Sequence, residues 1–346
     1  MCYNRRIRKR GVCVVDSLIF ALNAVAPIVA MVAIGYILKR IGFMSAEFAK
    51  MANKLVFRLF LPCMLFLNVY NIGNLGEMDF GYVGYVVAAV LVIFAVTLPL
   101  TRLAAKGNAQ RGVLLQSVFR SNYALIGIPL SQSLYGAAGV TVATLLSAVI
   151  IPAFNVLAVI SLSIFRPTDG KPSVKKILVG IAKNPLIQAV FLGLATLGVR
   201  ALLMRGGVEF RLSDITPLFK VLTYLSNMAT PMALLVLGAQ FEFSAVSSLR
   251  REILFGRLMR TVAVPVFGLG CAYVLMRCNI LPLTGAHFAA FVAAFCTPVA
   301  VSSVPMAQEM DSDVTLAGQL VVWTTLVSAL TVFLSAFILR AVGVFA

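Results

Sequence analysis

Arg120, Ser121 and Asn122 stand together inside a run of otherwise uncharged residues, and a guanidinium beside a hydroxyl and an amide is a donor set suited to a carboxylate. An arginine within a membrane helix costs about 2.5–3.5 kcal/mol even on the forgiving insertion scale, so it ordinarily faces a partner, a water-filled cavity or an anionic ligand. No Asp or Glu falls in the interior of the uncharged runs, which leaves an internal ion pair without an obvious partner and favours an anionic ligand. Neutral polar residues in reach are Gln116 on the same segment, Asn155 on the next, Thr297, Ser302 and Ser303 on a later one, and Gln319 on the last. Each also has a bland reading, since Ser and Thr in membrane helices commonly bond their own carbonyls or join helices.

The segment carrying this cluster is written twice. Aligning Ile128-Pro129-Leu130-Ser131-Gln132 with Val304-Pro305-Met306-Ala307-Gln308 sets Ser121-Asn122 on Thr297-Pro298, near the middle of each stretch. Proline removes a backbone donor and clashes with the preceding turn, and glycine lets other groups approach the backbone, so Gly127, Pro129, Pro298 and Pro305 are candidate helix breaks, and non-helical backbone is expected within a few residues of Asn122 and of Pro298. Freed backbone groups are tolerated at membrane depth only where protein or a polar cavity surrounds them. Matched interruptions in two halves point to the binding site of a secondary transporter.

The elements that must position these residues are membrane helices. Of 346 residues, 61% are hydrophobic and 12% charged, far from the balance of a soluble domain. A span needs roughly 20 apolar residues, so the run from Ser121 to Phe165 holds two, hinged at Gly136-Ala137-Ala138-Gly139. The expected fold is all-α and polytopic, with ten transmembrane helices in two five-helix repeats and broken, crossing helices 4 and 9. Pro62 and Pro231 recur in the second span of each half. An odd number of spans per unit makes the repeat inverted. The expected divisions are a basic extension over 1–15, a first repeat over 16–166, a cytoplasmic linker over 167–183 and a second repeat over 184–346.

The formal charge of +17 suggests nucleic acid until its placement is read. Basic residues collect in alternate loops: Lys39, Arg40, Lys50 and Lys54; Arg102, Lys106 and Arg111; Arg166, Lys171, Lys175, Lys176 and Lys183; and Arg250, Arg251, Arg257 and Arg260. The positive-inside rule puts these loops in the cytoplasm and both termini outside a cell membrane. The tail with Arg5, Arg6, Arg8, Lys9 and Arg10 opposes this assignment. The lipid bilayer, not nucleic acid, is the expected surroundings, and a homodimer is left open.

Six cysteines without a C-x-x-C pair read as small buried residues, and the single His287 as an interfacial one. No cofactor or metal is implied. The spans hold no H-E-x-x-H, no G-x-S-x-G and no aspartate-rich pair, which argues against a membrane-embedded enzyme. An anion channel and a sodium-coupled carrier of an unrelated substrate are the alternatives to an organic-anion carrier, because broken helices also line pores.

The opening APIVAMVAIGYILKRIGFMSAEFAKMANKLVFRLFLPCMLF, the string SNYALIGIPLSQSLYG, KNPLIQAVFLGL, TPMALLVLGAQ and VPMAQEM together resemble the auxin efflux carrier family, which includes plant exporters and bacterial malate permease-like proteins. The resemblance covers about residues 16–342 and implies ten spans, an inverted repeat and crossed helices 4 and 9. It also implies that Asn122 matches an asparagine engaging the substrate carboxylate and that Pro298 matches a crossover proline. Ser121 replaces the proline of the plant members' Pro-Asn pair, so the break in span 4 could be shared with Gly127-Ile128-Pro129. Arg120 departs from that pattern and favours a more strongly anionic substrate, such as a dicarboxylate like malate, over auxin.

Overall fold

The computed structural model describes residues 26–71, 79–166, 174–207 and 209–345; the expected basic extension lies outside them. The described chain is helical: α1 (26–40), α2 (Ala46–Tyr70), α3 (Phe80–Ala104), α4 (Asn108–Phe119), α5 (Tyr123–Ile164), α6 (Val174–Ala182), α7 (Pro185–Arg205), α8 (Thr216–Gln240), α9 (Ala245–Ser248), α10 (Arg250–Arg277), α11 (Gly285–Cys296), α12 (Ser303–Glu309) and α13 (Val314–Ala341). Among the described residues, seven of these are long and apolar enough to cross a membrane: α2, α3, α5, α7, α8, α10 and α13.

Helix α5 is two arms. Tyr135 (φ −144°, ψ 23°) and Gly136 (φ 59°, ψ −149°) leave helical geometry, and the second is a left-handed conformation that glycine adopts without a Cβ penalty. Residues eight apart in a straight helix would be about 12 Å from each other. Instead a Cβ at Gly139 would lie 2.4 Å from the Ser131 carbonyl oxygen, and Tyr123 donates its hydroxyl to the Ala143 carbonyl at 3.0 Å. The chain therefore doubles back at the glycine-rich hinge read from the sequence.

Three prolines are absorbed by widened turns rather than by breaks. Pro62, Pro129 and Pro265 each follow a five-residue π turn, over Val56–Phe60, Tyr123–Gly127 and Met259–Ala263 respectively. A proline ring collides with the carbonyl four residues back, and that residue lies inside the π turn in every case, where the wider ring gives room. Pro265 leaves the Thr261 carbonyl without its usual amide, and the Thr331 hydroxyl donates to it at 3.0 Å. Gly127 and Pro129 accordingly lie in helical backbone, not in a break, and Pro305 lies inside α12.

The real interruptions are Arg120–Asn122, between α4 and α5, and 297–302, between α11 and α12. Pro298 lies within the second. Helix α11 supplies the centre of the core. Every residue of it except His287 is buried, and Ala286, Ala289, Ala290, Ala293 and Ala294 let neighbouring backbones come close. A Cβ on Gly127 would fall 2.9 Å from that of Ala293, so glycine sets the approach of α5 to α11. Ser131 closes the same contact by donating to the Ala289 carbonyl at 3.2 Å.

Candidate functional site

The two interruptions meet. Asn122 N–H donates to the Pro298 carbonyl at 2.8 Å, and Ser121 pairs with Val299 in an antiparallel bridge, the one β-type contact among the described residues. Backbone that has lost its helical partners thus finds them across the crossing, as buried amides and carbonyls must. Val299 N–H is satisfied separately by the Thr324 hydroxyl of α13, at 3.1 Å.

Arg120 caps α4 in extended backbone and is 3% exposed. Its guanidinium donates to Asn155 Oδ1 at 2.6 Å on the second arm of α5, and to Ser302 Oγ at 2.7 Å and Ser303 Oγ at 3.4 Å beside α12, with Met306 Sδ as a further contact. Asn155 is oriented for this by donating its own amide to the Ile151 carbonyl at 2.8 Å. These partners are all neutral, so they satisfy donors without offsetting the charge.

Most of the residues singled out in the sequence converge here. Gln116 makes a long contact of 3.5 Å to the Ser303 carbonyl, and its Oε1 has no partner among the described residues. Ser121 Oγ and Asn122 Nδ2, both buried, likewise have none. Thr297 hydroxyl donates to its own helix at the Ala293 carbonyl, 2.7 Å. Gln319 is not part of the cluster: its amide donates to the Glu242 carbonyl at 2.7 Å, and its oxygen accepts from the Trp323 indole at 3.0 Å.

Its place before an uncharged run puts Arg260 in a cytoplasmic loop; it lies instead inside α10 and is wholly buried. Helical spacing carried the missed signal, since Ile253, Gly256, Arg260 and Val264 fall on one stripe and all are buried. Its Nε and Nη2 donate to the Thr297 carbonyl at 2.9 and 2.7 Å, Nη2 also to Ala294 at 3.0 Å, and Nη1 to Val118 and Phe119 at 3.1 and 3.3 Å. One side chain thereby ties the C-terminal ends of α4 and α11.

A cavity of about 820 Å³ lies alongside, lined by Pro27, Ile28 and Met31 of α1, Met64 and Asn68 of α2, Leu125 and Pro129 of α5, and Ser226, Asn227, Thr230, Pro231 and Leu234 of α8. Toward the N-terminal half of α2 and the C-terminal end of α8, α12 is held by polar contacts: Arg58 to Glu309 at 3.3 Å, and Gln240 to Gln308 at 3.0 Å with Gln308 donating to the Lys50 carbonyl at 3.3 Å. Glu309, just past the expected end of its span, has a side chain only 7% exposed. His287 accepts from Thr284 at its helix start and packs on Tyr82, as an interfacial residue would. Among the described residues no group of three or more His, Cys, Asp or Glu could hold a metal ion.

An uncharacterized transporter of Methanothermobacter thermautotrophicus is 23% identical over 313 residues, 88% of this chain and 94% of that protein. The membrane transport protein family matches residues 20–335. With its apolar helices and paired interruptions, the chain is a multi-pass membrane protein that belongs to this family, the one containing the auxin efflux carriers.

Proposed function

We propose that the protein is a secondary carrier of a small organic anion, with the substrate carboxylate held at the crossing by Arg120 and Asn122. The observation that carries the reading is the charge of Arg120, buried among Asn155, Ser302, Ser303 and Met306 with no carboxylate of the described residues beside it. The N-terminal end of α5 adds roughly half a positive charge on the same side. Ser121 Oγ and Asn122 Nδ2 are unpaired polar atoms next to that charge. An anion would offset the charge and occupy the free donors together.

Alternating access is the accompanying mechanism. Ten spans in two inverted sets of five follow if α4 with the first arm of α5 forms span 4, the second arm span 5, and α11 with α12 span 9. In support, Asn122 and Pro298, equivalent in the sequence alignment of the halves, are the residues that bond each other. The cavity beside Leu125 and Pro129 borders the C-terminal half of α2 and the middle of α8, and the Arg58–Glu309 and Gln240–Gln308 contacts hold α12 farther along the same two helices. Rocking one group of helices against the other would exchange these two conditions around a fixed site. Cytoplasmic basic loops, a cell-membrane location and external termini complete the reading.

The direct test is uptake into proteoliposomes, screening mono- and dicarboxylates. A carrier gives saturable uptake that is accelerated by the same anion on the far side. Flux without such trans-stimulation would indicate a channel, and no flux of any carboxylate would remove the anion assignment.

A further inference from the structure

We infer that Arg260 is a tethered cation occupying the place that a coupling ion takes in other crossed-helix carriers, so that this carrier works without sodium. In transporters with discontinuous helices, unwound carbonyls and half-helix C-termini coordinate sodium. Here those groups are taken. The last carbonyls of α4, from Val118 and Phe119, and those of Ala294 and Thr297 at the end of α11 all accept from Arg260 at 2.7–3.3 Å.

The charge balance points the same way. Each helix C-terminus carries roughly half a negative charge, so two together match the single positive charge that Arg260 brings. A sodium ion added beside it would be an unbalanced charge in a wholly buried place, and the carbonyl oxygens it needs already hold N–H donors. The two sides of the crossing therefore differ. The C-terminal side is neutralised by the protein itself, whereas the N-terminal side, with Arg120, is left positive.

This fixes a role for Arg260 distinct from substrate contact. It positions α4 and α11, and with them Arg120 and Thr297, by holding two like-signed helix ends together. The inference rests on the carrier reading for its functional consequence, but its ion chemistry is measurable without any substrate.

The experiment is thermal unfolding of the purified protein in sodium, potassium and choline chlorides, with low millimolar guanidinium as a probe, on the wild type and on Arg260→Ala, Arg260→Met and Arg260→Lys. The wild type should unfold at one temperature in all three salts and be indifferent to guanidinium at that concentration. Arg260→Ala should unfold earlier and be restored in part by guanidinium; Arg260→Met, similar in bulk but neutral, should not respond, and Arg260→Lys should be intermediate. In proteoliposomes, wild-type uptake of a carboxylate should be the same in sodium and choline, and Arg260→Met should lose at least tenfold. A wild type stabilised or activated by sodium over choline overturns the inference, as does an Arg260→Met protein as stable as the wild type. Should the variants not fold, the wild-type salt series decides alone. If no carboxylate is transported, the carrier reading fails while the unfolding series still judges Arg260.

Discussion

Asn122 and Pro298 are joined by a backbone hydrogen bond of 2.8 Å although 176 positions separate them, and they are the residues that the alignment of the two halves makes equivalent. Each interruption thus supplies what the other lacks. A helix broken alone at membrane depth would leave amides and carbonyls unsatisfied, at several kcal/mol each; two breaks set against one another avoid that cost.

The substitution that bears most on function is Arg120→Gln. A charge-assisted hydrogen bond contributes about 1.5–3 kcal/mol, and tenfold in affinity corresponds to about 1.4 kcal/mol. Apparent affinity for a transported carboxylate should fall by roughly ten- to a hundredfold, with Asn122→Ala losing somewhat less. Arg120→Lys should recover only part, because the ammonium lacks the planar fork. Unchanged affinity in Arg120→Gln, measured by concentration-dependent uptake, would make the arginine structural.

Gly127 should tolerate no added atom. An alanine methyl there would meet the rigid Cβ of Ala293 at 2.9 Å, forcing α5 and α11 apart at the crossing. Overpacking of this kind costs about 1–3 kcal/mol. Gly127→Ala should therefore lower the unfolding temperature and the uptake rate together, whereas Gly84→Ala, with open space at its Cβ, should do neither. Equal behaviour of the two variants in a thermal melt would count against the packing described.

The Arg58–Glu309 pair joins α2 to the end of α12. With the Arg58 side chain 71% exposed, its contribution to stability should be small, under about 1 kcal/mol in a double-mutant cycle and less in high salt. Its weight should lie in the transport cycle. Joining cysteines at 58 and 309 by a short cross-linker, in a background lacking the native cysteines, should arrest uptake, and reduction of a cleavable linker should restore it. Full uptake in the cross-linked protein would show that these segments do not separate.

Orientation is open to labelling from outside intact cells. Asp79→Cys, before α3, should react with an impermeant maleimide, and Lys175→Cys, on α6, should react only after permeabilisation; both positions are exposed. The reverse pattern would invert the topology.

Composition and the spacing of uncharged runs were enough to establish a polytopic helical protein, because the bilayer demands long apolar stretches whatever they pack against. The glycine hinge near Gly136 was legible for a similarly local reason: its left-handed backbone is a property of one residue. Repetition of Pro129 and Pro305 located both broken segments and set Ser121-Asn122 on Thr297-Pro298, where the interruptions fall, whereas Gly127, Pro129 and Pro305, also read as breaks, lie in helical backbone. A proline marks where a helix is perturbed, and here π turns absorbed Pro129 while the interruption fell at Arg120–Asn122, where partners across the crossing exist. Likewise Arg120, Asn155, Ser302 and Ser303 could be named as polar residues in apolar runs, but that they converge, and that Gln319 turns away to Glu242 and Trp323, depends on how distant helices pack. Arg260 shows the difference most clearly. In one dimension it is the last cation before an apolar run; in three it lies between two helix ends more than thirty residues away on either count, and only their carbonyls make a buried charge there stable.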